Sequence, residues 1–151
     1  MRLYLIHRKY YLAYVQAQNN FNRILDEQEI LLQKVQPKSS LSEHEREFLP
    51  SNPKGKGSQI NKAEEYAIQM EQRAINERLA TARQILQDRY ILLSQKEEEL
   101  RKSRDIYNMI YTCKWVDGLK ADAIVEQTGY SRSQVYNILK HLAKQLERQH
   151  D

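Results

Sequence analysis

The chain has 151 residues, with 24 Lys and Arg against 20 Asp and Glu, a formal net charge of +4, and only 4 Gly and 3 Pro. This composition favours helix, and no run of alternating Val, Ile and Thr offers a strand. At 40% hydrophobic and 29% charged residues, a single thick globular core is disfavoured against helices packed along narrow stripes. A lone cysteine, Cys113, rules out an internal disulfide and fits a reducing setting.

Residues 2–36 read as one helix. Leu3, His7, Tyr10, Tyr14, Ala17, Phe21, Ile24, Gln28, Leu31 and Val35 recur at alternating steps of four and three, the seam of a coiled coil. Leu25 and Leu32 are expected to widen the stripe. His7 and Gln28 are polar members of the seam, and their simplest placement is at its edge, hydrated. Tyr4, Tyr10, Tyr11 and Tyr14 form a candidate interface patch. The apolar run at the N-terminus breaks within a few residues, so it reads as neither a signal peptide nor a membrane span.

Pro37 ends this helix, and residues 37–60, with all three Pro, Gly55, Gly57 and several Ser, read as a linker. Gly55 between Lys54 and Lys56 lacks the preceding strand and following Gly-Lys-Ser/Thr of a phosphate loop. A second long helix is expected from the Asn61 cap to residue 94. In it Ala63, Ala67, Met70 and Ala74 form one stripe. Ile75, Leu79, Ala82, Leu86, Tyr90 and Leu93 form the next, offset by one residue, which predicts a local break in the heptad. Two such helices predict an antiparallel hairpin, an arm that also self-associates. Ser94 and Glu97 then read as a capping box opening a further helix over about 95–115, either broken from the previous helix at Ser94 or running on from it, and stopped by Asp117-Gly118.

The densest signal lies between Ala121 and Lys140. A short helix is followed by Gly129, suited to a left-handed turn, and by Ser131, an N-cap whose capping box Gln134 completes. Ile124 and Val125 are spaced to meet Val135, Ile138 and Leu139, with Tyr130 at the corner. The spacing predicts a helix-turn-helix. Its outward residues are Ser131, Arg132, Ser133, Gln134, Tyr136, Asn137, Lys140, His141 and Lys144. Arg132, Gln134 and Asn137 suit base edges, whereas Ser133, Tyr136, Lys140 and Lys144 suit phosphates. Over residues 131–148 four cations face Glu147 alone, while residues 61–113 are balanced at 9 of each sign. The small excess argues for a second copy on the same DNA.

From Ile106 to Leu146 the chain resembles region 4 of bacterial sigma-70-type factors. The residues that carry this are Trp115-Val-Asp-Gly-Leu, Ala123-Ile-Val and Gly129-Tyr-Ser-Arg-Ser-Gln-Val-Tyr. With the two long helices and the Ser/Pro/Gly segment, the layout is similar to the phage late-gene transcriptional regulators of the RinA and ArpU type. The resemblance implies sequence-specific binding to double-stranded DNA, work with host RNA polymerase, activation of phage or mobile-element genes, and a place in the cytoplasm of a bacterial host. Val125 stands where such modules usually have Ala. Lys120 stands where Ser or Thr usually caps the first helix, leaving Asp117 or Asp122 to compensate.

The expected class is all-α: a long antiparallel hairpin or coiled-coil arm plus a three-helix helix-turn-helix module. Its divisions are 1–36, 37–60, 61–94 and 95–151. An enzyme is not expected. The four His (7, 44, 141 and 150) share no metal-ligand spacing with carboxylates or Cys113, and no cofactor or metal is implied. Cys113 sits on an apolar face, and Glu97, Glu98 and Glu99 point around their helix. The alternatives to a homodimeric or larger regulator are a small terminase-like DNA-packaging subunit, which assembles as a ring, and a helical interaction protein without a DNA role.

Overall fold

The computed structural model describes residues 2–35 and 62–150. The expected linker 37–60 and the Asn61 cap lie outside the described residues. Among the described residues there are five α-helices: α1 (Leu3–Val35), α2 (Lys62–Lys102), α3 (Ile106–Tyr111), α4 (Ala121–Thr128) and α5 (Arg132–His150). A π-helical turn, Thr112–Val116, continues α3. No strand occurs among the described residues, and the chain is all-α as the composition predicts. No described helix is long and apolar enough to cross a membrane.

The chain forms two compact units, residues 18–85, and residues 1–17 together with 86–151. The first is a piece of antiparallel helix pair. Ile24 and Leu31 of α1 close on Ile75, Leu79 and Ala82 of α2, with Phe21 against them. Partners descend one helix as they ascend the other. Arg83 lies over the Phe21 ring, Arg78 bonds Glu27 at 2.6 Å and Gln28 bonds Asn76 at 3.1 Å. The α1 seam is placed as its heptads predict, with Gln28 half-buried rather than fully hydrated.

The α2 stripe differs from expectation. Ala63, Ala67, Met70 and Ala74 are exposed, and the covered positions Ile68, Gln72, Ile75, Leu79 and Ala82 keep one unbroken alternation of four and three. Three alanines offer little area to bury. Ile68 and the stem of Gln72 keep the register instead, so the predicted break at Ala74–Ile75 does not occur. Leu25 and Leu32 do not widen the seam; they remain exposed.

The second unit holds the larger core. Leu100, Ile110, Tyr111, Cys113, Ile124, Val135, Ile138, Leu142 and Leu146 form one core cluster with Tyr4, which is wholly buried. The first turns of α1 are therefore part of this core. The Tyr4 hydroxyl donates to Gln145 Oε1, and Gln149 Nε2 donates to the Leu5 carbonyl at 3.3 Å. Tyr4 thus leaves the expected aromatic interface patch. Of its other members, Tyr10 meets the Lys96 ammonium, Tyr11 the Arg8 guanidinium, and Tyr14 packs on Tyr90, which is itself exposed rather than in the stripe.

Of the two readings at Ser94, a break or a continuous helix, the continuous one holds and the capping box is not used. α2 runs through Ser94 to Lys102. Ser and Gln are tolerated in a helix interior, and Leu93 and Leu100, seven apart on the buried face, hold the helix together across the site. The real boundary is at Ser103–Asp105. Asp105 caps α3 by accepting from the Tyr107 and Asn108 amides at 2.9 and 3.2 Å, and Asn108 Nδ2 donates to Ser103 Oγ at 2.9 Å. The π-helical turn ends where predicted. Gly118 takes φ 71°, and the Leu119 amide returns to the Cys113 carbonyl at 2.9 Å.

Candidate nucleic-acid interface

α4 and α5 are joined through two backbone devices. Gly129 has φ 76° and ψ 2°, and its amide bonds the Val125 carbonyl at 3.0 Å, so the chain reverses out of α4 in the left-handed region. Thr128 Oγ1 donates to the Ile124 carbonyl at 2.6 Å and holds the last turn. Ser131 then opens α5. Its hydroxyl accepts from the Gln134 amide at 3.2 Å, and its carbonyl accepts from the Val135 amide at 3.0 Å. This is the serine half of the expected capping box; among the described residues no bond returns from the Gln134 side chain to Ser131. That amide stays available to a ligand.

Burial fixes the orientation of α5. Val135, Ile138, Leu142 and Leu146 are buried, and Leu139 is half-buried against them. Ile124 of α4 meets them, with Val125 and Tyr130 partly buried alongside, as the spacing predicts. Leu142 and Leu146 were missed at sequence level, although they only continue the step of four from Ile138.

All nine sequence-level site residues are exposed, but at 100° per residue they do not share one line. Ser133, Asn137, Lys140 and Lys144 run along the ridge opposite the buried face. Tyr136, 49% exposed, stands beside them. Gln134 and His141, seven apart, form one flank, and exposed Arg148 extends it by a further seven. Arg132 lies on the other flank, and its guanidinium pairs with Asp122 of α4 at 3.1 Å. Both partners are largely exposed, so the pair contributes only about 0–1 kcal/mol and yields readily to a stronger anion. The His141 ring meets Tyr107 edge-on, with centroids 5.7 Å apart.

The start of α4 departs from expectation. Lys120 is its N-cap and makes no side-chain capping bond. Neither aspartate compensates. Asp117 is held by Arg101 at 2.8 Å and Asp122 by Arg132. The Lys120 carbonyl accepts from the Ile124 amide at 3.0 Å, and burial of Ile124 anchors the helix instead.

Behind the interface lies a buried polar cluster that the sequence did not reveal. His7 is 2% exposed, not hydrated at a seam edge. Its Nδ1 lies 2.7 Å from the Tyr111 hydroxyl and its Nε2 3.4 Å from Glu97 Oε1. A carboxylate only accepts, so Nε2 carries the proton and donates to Glu97, while Tyr111 donates to Nδ1. Burial lowers the His7 pKa, against the opposing pull of Glu97. Burial also pushes the Tyr111 hydroxyl up to about 12, so it remains a donor. Tyr111 lies against Tyr4 and stacks on Trp115, at 5.8 and 5.4 Å between centroids. Cys113 is buried, its thiol pKa raised first by that burial, which makes it a core residue rather than a nucleophile. No group of three or more His, Cys, Asp or Glu is placed to hold a metal among the described residues.

No family model matches the chain, and neither a curated protein nor a solved structure matches it.

Proposed function

We propose that this chain is a sequence-specific double-stranded DNA-binding protein that regulates transcription, with α5 lying in the major groove. The observation that carries the reading is the ridge Ser133–Asn137–Lys140–Lys144. It is polar and basic along its length, exposed, and set directly opposite a fully apolar buried face. A helix held this way leaves its outer row free for a groove about 12 Å wide, and the glycine turn and serine cap present its first turn outward. Asn137 and Gln134 offer paired donors and acceptors to adenine, and Lys140, Lys144 and Ser133 suit phosphates. The resemblance of residues 106–146 to sigma region 4 supports a regulator, an activator of phage or mobile-element genes, that works with host RNA polymerase in the bacterial cytoplasm.

Self-association belongs to the same proposal. Four cations against one acid on α5 give a single module few phosphate contacts. The helix pair of residues 18–85 exposes Leu25, Ile30, Leu32, Tyr66, Met70 and Ile85, apolar area suited to further copies. A ring-forming DNA-packaging subunit shares both features, and sedimentation separates it from a dimer. The decisive experiment is duplex binding against salt concentration. Affinity falling steeply with salt, with protection of one site in a footprint, is expected; binding to no duplex overturns the proposal.

A further inference from the structure

We infer that Arg2, at the opposite end of the chain from α5, is a pre-positioned ligand for the DNA backbone phosphate that flanks the recognition helix. The inference rests on the DNA-binding reading of α5 given above.

A helix in the major groove turns part of its outer face to the bases, while the rest of that face and the two flanks lie near the phosphate walls. One flank of α5 is Gln134, His141 and Arg148. His141 lies against Tyr107, and the guanidinium of Arg2 sits over the same Tyr107 ring, 4.5 Å from its centroid. Arg2 is thus one aromatic ring away from the flank.

Its position is fixed from several sides. The Arg2 carbonyl accepts from the Leu5 and Ile6 amides at 3.0 and 3.2 Å, which ties its backbone to the first turn of α1. That turn is held against α5 by Tyr4 on Gln145 and by Gln149 on the Leu5 carbonyl. Arg2 itself is exposed and makes no ion pair among the described residues. The Arg2 guanidinium also interacts with the Tyr4 hydroxyl, but with five N–H donors it keeps others at its edge, and those match a phosphate in fork geometry. Arg132, by contrast, is already engaged by Asp122 on the other flank. The consequence is a cationic flank assembled from the second residue of the chain and from α5. No sequence window could show it, since the Tyr4–Gln145 contact that holds it in place spans 141 positions.

The test uses the full chain and a duplex containing its footprinted site, with affinity followed from about 50 to about 200 mM salt. Losing one phosphate contact makes the log–log slope shallower by about 0.9, so this rise in salt costs Arg2→Gln about 3.5-fold less affinity than it costs the parent. Arg2→Lys is expected to restore most of the slope, and Lys9→Gln, the same charge change seven residues on within α1, to leave it in place. An Arg2→Gln slope equal to the parent's overturns the inference. So does an equal loss in Lys9→Gln, which would mark a general charge effect. If Lys140→Ala lowers the slope while Arg2→Gln does not, the α5 reading stands and the Arg2 contact falls; if the parent shows no salt-dependent binding, both fall. The unfolding midpoint of Arg2→Gln, read from Trp115 fluorescence, is expected to stay near the parent's, which separates a lost contact from a lost fold.

Discussion

Replacing Tyr4 by Ala tests whether the start of α1 is part of the core that supports α4 and α5. Tyr4 has no exposed surface, lies 5.8 Å from Tyr111 ring to ring, and donates its hydroxyl to Gln145. Truncating a buried aromatic costs about 3–5 kcal/mol, and the lost hydrogen bond accounts for about 1 kcal/mol of that order. The chain has a single tryptophan, Trp115, stacked on Tyr111. Its fluorescence therefore reports this unit, while far-UV circular dichroism reports every helix. With a urea dependence of about 2 kcal/mol per molar, a loss of about 4 kcal/mol moves the fluorescence midpoint down by about 2 M. Tyr4→Phe, which keeps the ring and loses the hydroxyl, is expected to move it by about 0.5 M. If Tyr4→Ala moves the midpoint no further than Tyr4→Phe, the ring is not buried in this core and the reasoning fails.

Four further outcomes are expected. Asn137→Ala should cost about 1–3 kcal/mol of specific affinity and relax preference at one base pair, read by competition with point-substituted duplexes; an unchanged profile would move the base contacts elsewhere. Gly129→Ala should destabilise the same unit by about 1–2 kcal/mol in a Trp115-monitored melt. At φ 76° nothing lies within 4 Å of an added Cβ, so the cost is backbone strain alone. Ser131→Ala should cost about 0.5–2 kcal/mol through loss of the cap on the Gln134 amide, and a neutral result would show that cap idle. The depressed His7 pKa gives a pH dependence. The unfolded chain takes up a proton at His7 near 6.5 and the folded unit resists it, so stability is full above that value and falls as pH drops below it. His7→Gln should flatten the fall in Trp115 midpoint between about pH 7 and about pH 5.5, and an equally steep fall in the variant would assign the effect to another group.

The sequence disclosed whatever depends on short spacing. Helix class, the α1 seam, Gly129, Ser131 and the outward row of α5 all follow from periodicities or motifs a few residues long. It misled where a local pattern competes with burial from afar. Ser94-Gln-Lys-Glu has the form of a capping box, but Leu93 and Leu100 keep α2 helical across it. The true cap, Asp105, carries the same kind of signal and was passed over because the box at Ser94 had taken its role. His7 was unreadable for a different reason. A histidine in a heptad seam is ordinarily wet, and its two partners, Tyr111 and Glu97, stand 104 and 90 positions away. The roles within the outward row were also hidden. Arg132 reads as unpaired until Asp122, ten residues earlier, is seen beside it in an exposed pair that a stronger anion can displace.

The burial of Tyr4 among residues 100–146 has a consequence for how the protein is made. The opening turn of α1 leaves the ribosome well before Tyr111 and Gln145, its partners, which stand more than 100 positions further along the chain. The helix pair of residues 18–85 needs nothing beyond its own span and can close while synthesis continues. The unit of residues 1–17 and 86–151 cannot, because its core joins segments far apart in the chain, and closing so long a loop is slow compared with forming a helix. Throughout translation the first residues must stay uncommitted, with Tyr4 and His7 exposed to the machinery that handles nascent chains. A chain that stops before Gln145 would leave Tyr4 without its hydrogen-bond partner and this core incomplete.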